Sequence, residues 1–414
     1  MKPVLVLAGA RQVGKTTLAR HLAGDGFEYI ALDDPILRSD LARVDAASFA
    51  RRYPAAILDE VQKAPHLIDT VKAIVDSGGP QRYLLLGSSH VLLLERVRES
   101  LVGRAQMRQL WPLSSSEILS TSETLAQPAP PPALIRILEE GEDALAELPP
   151  VISLHPRGAE LSAAFERLLQ VGGMPVLWSQ AWSDADLREE LSTYVTLYLE
   201  RDLADLARLR DLEPFVRLQR LAAERISTIL SFSSLARDAG LAVPTTKSYL
   251  RYLELSFQAF LLPPFFANRS KRLVKSPRLH WIDVGIWRAI TRRWQGMTGE
   301  LYESAVVSEA LKAIHAFPLD FEPFHLRTYD QREVDLLLVR GDTAVALEIK
   351  ASTRAHPRDA RHLDRLEEVA GLRHVLGLVV YRGRDVVRLG EKIWAVPDAL
   401  LFGPEAVLPS PSSG

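Results

Sequence analysis

The chain has 414 residues, a formal net charge of −2 and no cysteine. This length exceeds what one hydrophobic core supports, so we expect two to four domains. Without cysteine, disulfides, thiolate zinc sites and a cysteine nucleophile are excluded, and any metal must be held by carboxylates or histidines. No apolar run reaches the roughly 18 residues of a membrane span and no signal segment opens the chain, which predicts a cytoplasmic protein without a membrane partner.

The first predicted elements are a strand over residues 3–9 and a helix that begins with TTLARHLA. Between them, GARQVGKT has the G-x-x-x-x-G-K-[ST] spacing of a phosphate-binding loop, in the strand, loop, helix context that this motif requires. We expect Lys15 to reach the β- and γ-phosphates and the Thr16 hydroxyl to ligate Mg²⁺. The loop therefore predicts a site for ATP and Mg²⁺.

Two more strands are predicted to end at the same edge of the sheet, where open α/β sheets bind ligands. AAILDE ends in Asp59, expected to hold Mg²⁺, and Glu60, expected to polarise the attacking water. RYLLLGSSH leads to Ser88 and Ser89, whose hydroxyls could sense the γ-phosphate, although a strand-terminating turn explains them equally well. The residues predicted to bind the nucleotide are Gly9, Gln12, Val13, Gly14, Lys15, Thr16, Thr17 and Asp59.

The segments GARQVGKTTL, ILDEVQKAP, LLLGSS and ESLVGRAQMRQLWPLSSSEI resemble, in order and spacing, a family of prokaryotic AAA+ ATPases. In that family the C-terminal half is a domain of unknown function. The resemblance continues there, because successive motifs of that half resemble GGMPVLW, TYVTLYLERDL and KSPRLHWIDVGI. The resemblance implies a homo-oligomeric ring, expected to contain six subunits, in which Arg104 reaches the nucleotide of a neighbouring subunit. Pairing of Arg104 with Glu99 or Glu117 is the alternative, and Arg201 could instead be the sensor on the lid side.

The middle of the chain is predicted to be helical. Residues 121–160 are Pro- and acid-rich and indicate an insertion with a short helix, whereas the apolar spacing over 161–215 resembles the helical lid of an AAA+ core. Over 216–265 the pattern predicts a helix-turn-helix followed by a strand, which is typical of a winged-helix module. Such modules bind DNA or proteins. The residues expected to contact DNA phosphates are Thr245, Thr246, Lys247 and Arg251.

Basic residues are concentrated around this module. Residues 201–300 contain 17 Lys and Arg against 9 Asp and Glu, which favours nucleic acid as a partner over a merely solvated surface. Lys271 and Arg272 are predicted to be DNA contacts. They belong to a basic run of five residues, Arg269, Lys271, Arg272, Lys275 and Arg278.

The range 266–396 contains REVDLLLVRGDTAVALEIKAS. Glu348 and Lys350 lie two apart on a predicted strand and so face the same side. Asp335 precedes them by a strand and a Gly-Asp turn, and an upstream helix could bring Glu303 to the same place. This order resembles the PD-(D/E)XK nuclease core, in which acids hold Mg²⁺ and a partly desolvated lysine orients or deprotonates water. The alternative is an ion pair between Glu348 and Lys350 on an edge strand.

These elements predict an α/β fold with a P-loop AAA+ parallel sheet over residues 1–120, a helical lid, a winged helix and a C-terminal α/β restriction-endonuclease-like domain. Residues 397–414 are expected to form a flexible tail. The predicted function is an ATP-hydrolysing motor or remodeller of branched or single-stranded DNA with a metal-dependent nuclease-like domain. Two alternatives stay open. One is an ATP-dependent regulatory switch of the toxin, antitoxin or defence type, and the other is a nucleotide-gated DNA-binding factor without cleavage.

Overall fold

The computed structural model describes residues 2–87, 100–120, 130–199, 211–266, 276–317, 319–328 and 332–404. The chain divides into two compact units. The first unit consists of Met1–Pro112, Thr193–Glu213 and Leu250–Gln258, and the second of Leu113–Ser192, Pro214–Tyr249 and Ala259–Gly414. None of the described helices is long and apolar enough to cross a membrane.

A parallel sheet organises the first unit. Its strands are β1 (Val4–Gly9), β2 (Glu28–Ala31), β3 (Ala55–Asp59), β4 (Arg82–Gly87) and β5 (Ala105–Leu110). The order across the sheet is β2, β3, β4, β1, β5, and every pairing is parallel. Since β1 has β4 on one side and β5 on the other, the strand order reverses at β1, and ligands of open α/β sheets bind at the carboxyl end of such a position.

Short helices connect these strands, and their starts follow from local sequence. They are α1 (Lys15–Ala23), α2 (Pro35–Leu41), α3 (Ala46–Arg52) and α4 (His66–Asp76). Asp34 and Asp45 cap α2 and α3 by accepting hydrogen bonds from backbone N–H groups of the first turn. In α4 the apolar residues recur at helical spacing and are buried against the sheet.

The second unit begins with a run of helices. They are α5 (Ser115–Leu119), α6 (Ala133–Glu140), α7 (Glu142–Glu147), α8 (Gly158–Val171) and α9 (Asp184–Thr193). The predicted insertion 121–160 thus contains α6 and α7, where the sequence predicts one short helix. Leu134, Leu138 and Leu145 are buried, so these helices are part of the packed interior of the unit.

The range predicted as a winged helix contains three helices and the first strand of a hairpin. The elements are α10 (Glu213–Ala223), α11 (Phe232–Ala239), α12 (Val243–Leu255), β6 (Ala259–Leu262) and, further along, β7 (Arg278–Trp281). Strands β6 and β7 pair in antiparallel fashion, with Leu262 opposite Arg278. Gly240 has a positive φ of 67° and ends α11, as the Gly-containing turn of the helix-turn-helix pattern predicts.

A mixed sheet forms the C-terminal part of the second unit. Its elements are α13 (Val284–Thr291), α14 (Gly299–Ala316), β8 (Glu322–Arg327), β9 (Glu333–Arg340), β10 (Thr343–Lys350), α15 (Leu366–Ala370), β11 (His374–Tyr381), β12 (Val387–Gly390), β13 (Ile393–Pro397) and α16 (Asp398–Phe402). The sheet order is β12, β13, β11, β10, β9, β8. Strand β10 pairs antiparallel with β9 and parallel with β11, so it lies in the interior of the sheet.

Two predicted boundaries differ from the structure. The range 161–215, expected to form a helical lid, is divided between the units, because Thr193–Glu213 belongs to the first unit and the residues before it to the second. The tail predicted over 397–414 is wrong at its start: α16 is buried, and Phe402 stacks on Phe165 with ring centroids 6.0 Å apart. Residues 405–414 lie outside the described residues.

Candidate functional site

The phosphate-binding loop follows β1 and has the backbone that its sequence predicts. Gln12 and Gly14 have positive φ angles of 59° and 92°, and at Gly9 a Cβ would lie 2.5 Å from the Leu110 carbonyl oxygen. Lys15 is buried, and its Nζ donates to the carbonyl oxygens of Gly9 at 3.0 Å and Ala10 at 2.6 Å. The loop therefore holds the Lys15 ammonium group at the start of α1, where backbone N–H groups can bind an anion.

Two hydroxyl groups converge on the Asp59 carboxylate at the end of β3. Thr16 Oγ1 and the Tyr29 hydroxyl each donate to Asp59 Oδ2 at 2.7 Å. Burial and the hydrogen bond to Asp59 raise the pKa of Tyr29 to about 12, so the phenol stays protonated and remains a donor. The structure thus brings together Thr16 and Asp59, whose oxygens suit Mg²⁺. The sequence does not predict Tyr29, because only the pairing of β2 with β3 places it there.

Glu60 directly follows β3 in an uncommon backbone conformation. Its φ and ψ are 56° and 43°, the left-handed region that non-glycine residues rarely adopt. Its backbone N–H donates to Asp59 Oδ1 at 3.0 Å, and Gln62 donates to its carboxylate. Backbone strain of this kind is concentrated at functional sites. Ser88, Ser89 and Arg201 lie outside the described residues, so their predicted roles stay predictions.

Arg104 pairs with a carboxylate other than the two that the sequence suggests. Its guanidinium makes a two-point contact with Asp76, in which Nη2 lies 3.1 Å from Oδ2 and Nε contacts Oδ1. Glu117, one of the alternative partners, instead accepts from Ser114 and caps α5. Arg104 therefore pairs with a carboxylate 28 residues away in the sequence, and its contact with a neighbouring subunit stays a prediction.

The predicted DNA contacts on α12 differ in exposure. Thr246 is fully buried and its Oγ1 donates to the Ala242 carbonyl at 3.2 Å, so its prediction as a DNA contact is wrong. Thr245 is half-buried. Lys247 is exposed, with Nζ 5.3 Å from the centre of the Phe232 ring. Arg251 is exposed and lies 3.3 Å from Glu254. Lys271 and Arg272 belong to 267–275, outside the described residues.

The predicted nuclease residues meet in the second unit. Arg278 Nη1 bridges Glu303 Oε1 at 2.7 Å and Asp335 Oδ1 at 3.1 Å. Lys350 Nζ donates to Glu348 Oε1 at 2.6 Å. The Gly341-Asp342 turn joins β9 to β10 as predicted. Because β10 lies in the interior of the sheet, the alternative of an ion pair on an edge strand is wrong about the position of that strand. The pair itself is present.

Burial dominates the electrostatics of this cluster. Burial, and then the neighbouring Asp335 carboxylate, raise the pKa of Glu303 well above its ordinary value and that of Glu348 to about 7. Burial alone would lower the pKa of Lys350, but the adjacent Glu348 carboxylate outweighs it and the pKa is raised. Lys350 is thus partly desolvated, and its role in proton transfer stays a prediction.

The cluster does not fit Mg²⁺ as it stands. Within the described residues, no group of three or more His, Asp or Glu side chains is arranged to hold a metal ion. Arg278 lies between the carboxylates and also pairs with Glu333. Its prediction as part of a DNA-binding basic run is wrong, because it is buried. Glu333 could have been found, since it lies two residues before Asp335 on the same strand. In contrast, the sequence around Arg278 does not indicate that this residue belongs to the cluster.

Comparison with known proteins agrees with the fold and the phosphate loop of the first unit. Residues 1–119 match an AAA domain, and residues 162–295 and 298–401 match two domains of unknown function, DUF8612 and DUF4143. The parallel sheet, the phosphate loop and this match define an AAA-type ATPase domain, and they support ATP as the ligand and ATPase activity.

Relatives are known from bacteria. An uncharacterized protein of Mycobacterium tuberculosis and one of Mycobacterium bovis are each 26% identical over 408 residues, covering 95% of this chain and 80% of the relative. A Walker-type ATPase of Pyrococcus abyssi aligns with a TM-score of 0.39 at 15% identity, over 70% of this chain and 91% of its own. A Vibrio cholerae protein aligns with a TM-score of 0.21 at 13% identity, over 96% and 95% of the two chains.

Proposed function

We propose that the first unit hydrolyses ATP with Mg²⁺ and that Glu60 activates the attacking water. The observation that carries this proposal is the convergence of Lys15, Thr16 and Asp59 at the carboxyl ends of β1 and β3, with Glu60 next in the chain. Thr16 and Asp59 supply the oxygens that would hold Mg²⁺, which would offset phosphate charge when bound. Lys15 would place its ammonium against the β- and γ-phosphates, and the strained backbone fixes the direction of the Glu60 carboxylate.

The test separates nucleotide binding from turnover. Lys15→Ala is expected to lose ATP binding, because the ammonium that the loop holds for the phosphates disappears. Glu60→Gln is expected to bind ATP as the wild type does and to lose hydrolysis by roughly a hundredfold or more, the usual contribution of a general base. Glu139→Gln, an exposed glutamate on α6, is the matched control. Hydrolysis by Glu60→Gln at the wild-type rate would contradict the role of Glu60.

We further propose that ATP turnover acts on branched or single-stranded DNA, which the second half of the chain binds. Three helices followed by an antiparallel hairpin support a winged-helix module, and Lys247 and Arg251 lie four residues apart on the same side of α12. The basic excess over 201–300 supports binding through phosphates. A ring of six subunits belongs to the same proposal and is testable by light scattering with ATP bound.

The C-terminal domain is proposed to have the nuclease-like fold. The order of helix α14, antiparallel strands β8 to β10 and parallel strand β11 supports it. Because Arg278 neutralises the carboxylates, we propose that this domain holds DNA or a protein partner without cutting in the arrangement described. This favours the regulatory-switch alternative for the domain. Cleavage is the second candidate, supported by the proximity of Asp335, Glu348 and Lys350, and it is tested with branched DNA and Mn²⁺, comparing wild type with Asp335→Ala.

A further inference from the structure

Tyr29 lies beside the residues proposed to hold Mg²⁺, on a strand that contains none of the nucleotide-binding motifs. It is the second residue of β2, and it lies opposite Ile57 in the parallel pairing of β2 with β3. Two residues further along the same strands, Ala31 lies opposite Asp59. The pairing of the two strands therefore brings the Tyr29 phenol within reach of the Asp59 carboxylate.

The Asp59 carboxylate is held at both of its oxygens. Oδ2 accepts from the Tyr29 hydroxyl and from Thr16 Oγ1, each at 2.7 Å, and Oδ1 accepts from the Glu60 backbone N–H at 3.0 Å. The residue is buried, with 7% of its surface exposed. Thr16 and Glu60 belong to the proposed nucleotide site, whereas the Tyr29 hydroxyl ties the carboxylate to the neighbouring strand.

The Tyr29 ring also contacts the helix that follows the phosphate loop. The guanidinium of Arg20, on α1, lies over this ring, with its central carbon 3.8 Å from the ring centroid. An arginine over the face of a tyrosine ring is attracted by the negative charge of that face. Tyr29 therefore connects α1, at whose start the phosphates are proposed to bind, with the carboxylate at the end of β3.

We propose that Tyr29 is a positioning residue for Mg²⁺, which acts by holding the Asp59 carboxylate in the direction that the ion requires. This inference rests on the proposed function of the first unit. A carboxylate that turns freely loses conformational freedom when it binds an ion, whereas one held by O–H and N–H donors has already lost it. Removing a group that orients a metal ligand typically weakens metal binding by about 10–100-fold. Tyr29 acts through Asp59 and needs no contact with the nucleotide.

The experiment measures the affinity of the protein for a fluorescent ADP analogue, N-methylanthraniloyl-ADP, first with EDTA and then at increasing concentrations of free Mg²⁺. Tyr29→Phe removes the hydroxyl and keeps the ring that packs against Arg20. Tyr83→Phe is the matched control, because Tyr83 lies on β4 of the same sheet and its hydroxyl donates to the Tyr53 backbone carbonyl at 3.0 Å. Asp59→Asn tests the magnesium site itself.

The measured quantity is the Mg²⁺ concentration at which the gain in ADP affinity is half complete. For Tyr29→Phe it is expected to be at least about tenfold higher than for the wild type or Tyr83→Phe. The ADP affinity in EDTA and the hydrolysis rate at saturating Mg²⁺ should both equal those of the wild type, because Asp59 and Glu60 remain. In the Asp59→Asn background, Tyr29→Phe should have no further effect on the Mg²⁺ requirement, since the hydroxyl acts through the carboxylate.

A Mg²⁺ requirement of Tyr29→Phe that is no higher than that of Tyr83→Phe would overturn the proposal. Loss of ADP affinity in EDTA would also overturn it, because the hydroxyl would then support the whole nucleotide site and not the ion. An effect that persists in the Asp59→Asn background leads to the same conclusion. Failure of the proposed function has a different signature, an equal Mg²⁺ requirement in wild type and Asp59→Asn, and it would overturn this inference as well.

Discussion

Asp283 is expected to be one of the most sensitive positions of the second unit. Its carboxylate is buried, with Oδ2 accepting from the Gly173 N–H at 2.6 Å and Oδ1 from the Ile286 N–H at 3.1 Å. The second bond caps α13. The first bond joins α13 to the turn after α8, where Gly172 has a φ of 82° and a Cβ would lie 2.1 Å from Asp283 Oδ1. The two motifs GGMPVLW and IDVGI therefore meet at this carboxylate.

The cost of Asp283→Ala follows from these two bonds. Loss of a helix cap costs about 1 kcal/mol, and leaving the Gly173 N–H buried without a partner costs roughly 1–3 kcal/mol. We therefore expect the free energy of unfolding of the second unit to fall by about 2–4 kcal/mol. Gly172→Ala should cost a similar amount, because overlap with the Asp283 carboxylate costs roughly 1–3 kcal/mol and the positive φ about 1–2 kcal/mol more.

Urea unfolding followed by tryptophan fluorescence measures this loss. Asp184→Ala, which removes an exposed acid from the first turn of α9, is the control and should change stability by less than about 0.5 kcal/mol. ATP binding is a second readout, since it reports on the first unit and is expected to stay unchanged. If Asp283→Ala lowers the free energy of unfolding no more than Asp184→Ala does, the inference that this carboxylate fastens α8 to α13 is wrong.

Three further outcomes follow from the structure. Burial lowers the pKa of His325 to about 4. The stability that comes from keeping this histidine neutral is therefore complete above pH 6.5 and is lost as the pH falls to 4, by at most about 3 kcal/mol. His325→Gln should flatten the pH dependence of urea unfolding across that window. Lys247→Glu should weaken binding to all DNA sequences alike and reduce the salt slope by about 0.9 for each phosphate that the side chain neutralises; weakening confined to one sequence would contradict binding through phosphates. Asp76→Ala should change stability by at most about 1 kcal/mol, because its pair with Arg104 is partly exposed, and a much larger drop in thermal unfolding would show that the pair does more than join two surface side chains.

The parts of the site that the sequence predicts well are local. The phosphate loop is a contiguous run from Gly9 to Thr16, and the hairpin of β9 and β10 follows from Gly341-Asp342 between two apolar strands. In both cases the backbone conformation depends on neighbours in the chain, so spacing alone is informative. The same locality explains why the sequence correctly places Glu348 and Lys350 on the same side of β10.

Contacts between distant residues are not predictable in this way. Arg278 and Asp335 are 57 positions apart, and Arg104 and Asp76 are 28 apart. The sequence around these residues does not indicate their partners. A charged side chain is expected to be exposed, and only the folded chain shows which of them are buried together. Thr246 is a different case. It lies three, four and seven residues before the buried Tyr249, Leu250 and Leu253, so helical spacing indicates burial and its polar side chain is misleading.

The rate of ATP hydrolysis, measured with and without forked, four-way and single-stranded DNA at low salt, tests the central claim most directly. The account predicts Mg²⁺-dependent hydrolysis that at least one branched or single-stranded DNA accelerates, and that Glu60→Gln abolishes while ATP binding persists. A rate that is the same with every DNA and without DNA would contradict coupling of the ATPase to DNA. Equal hydrolysis by wild type and Glu60→Gln would contradict the proposed catalytic site itself.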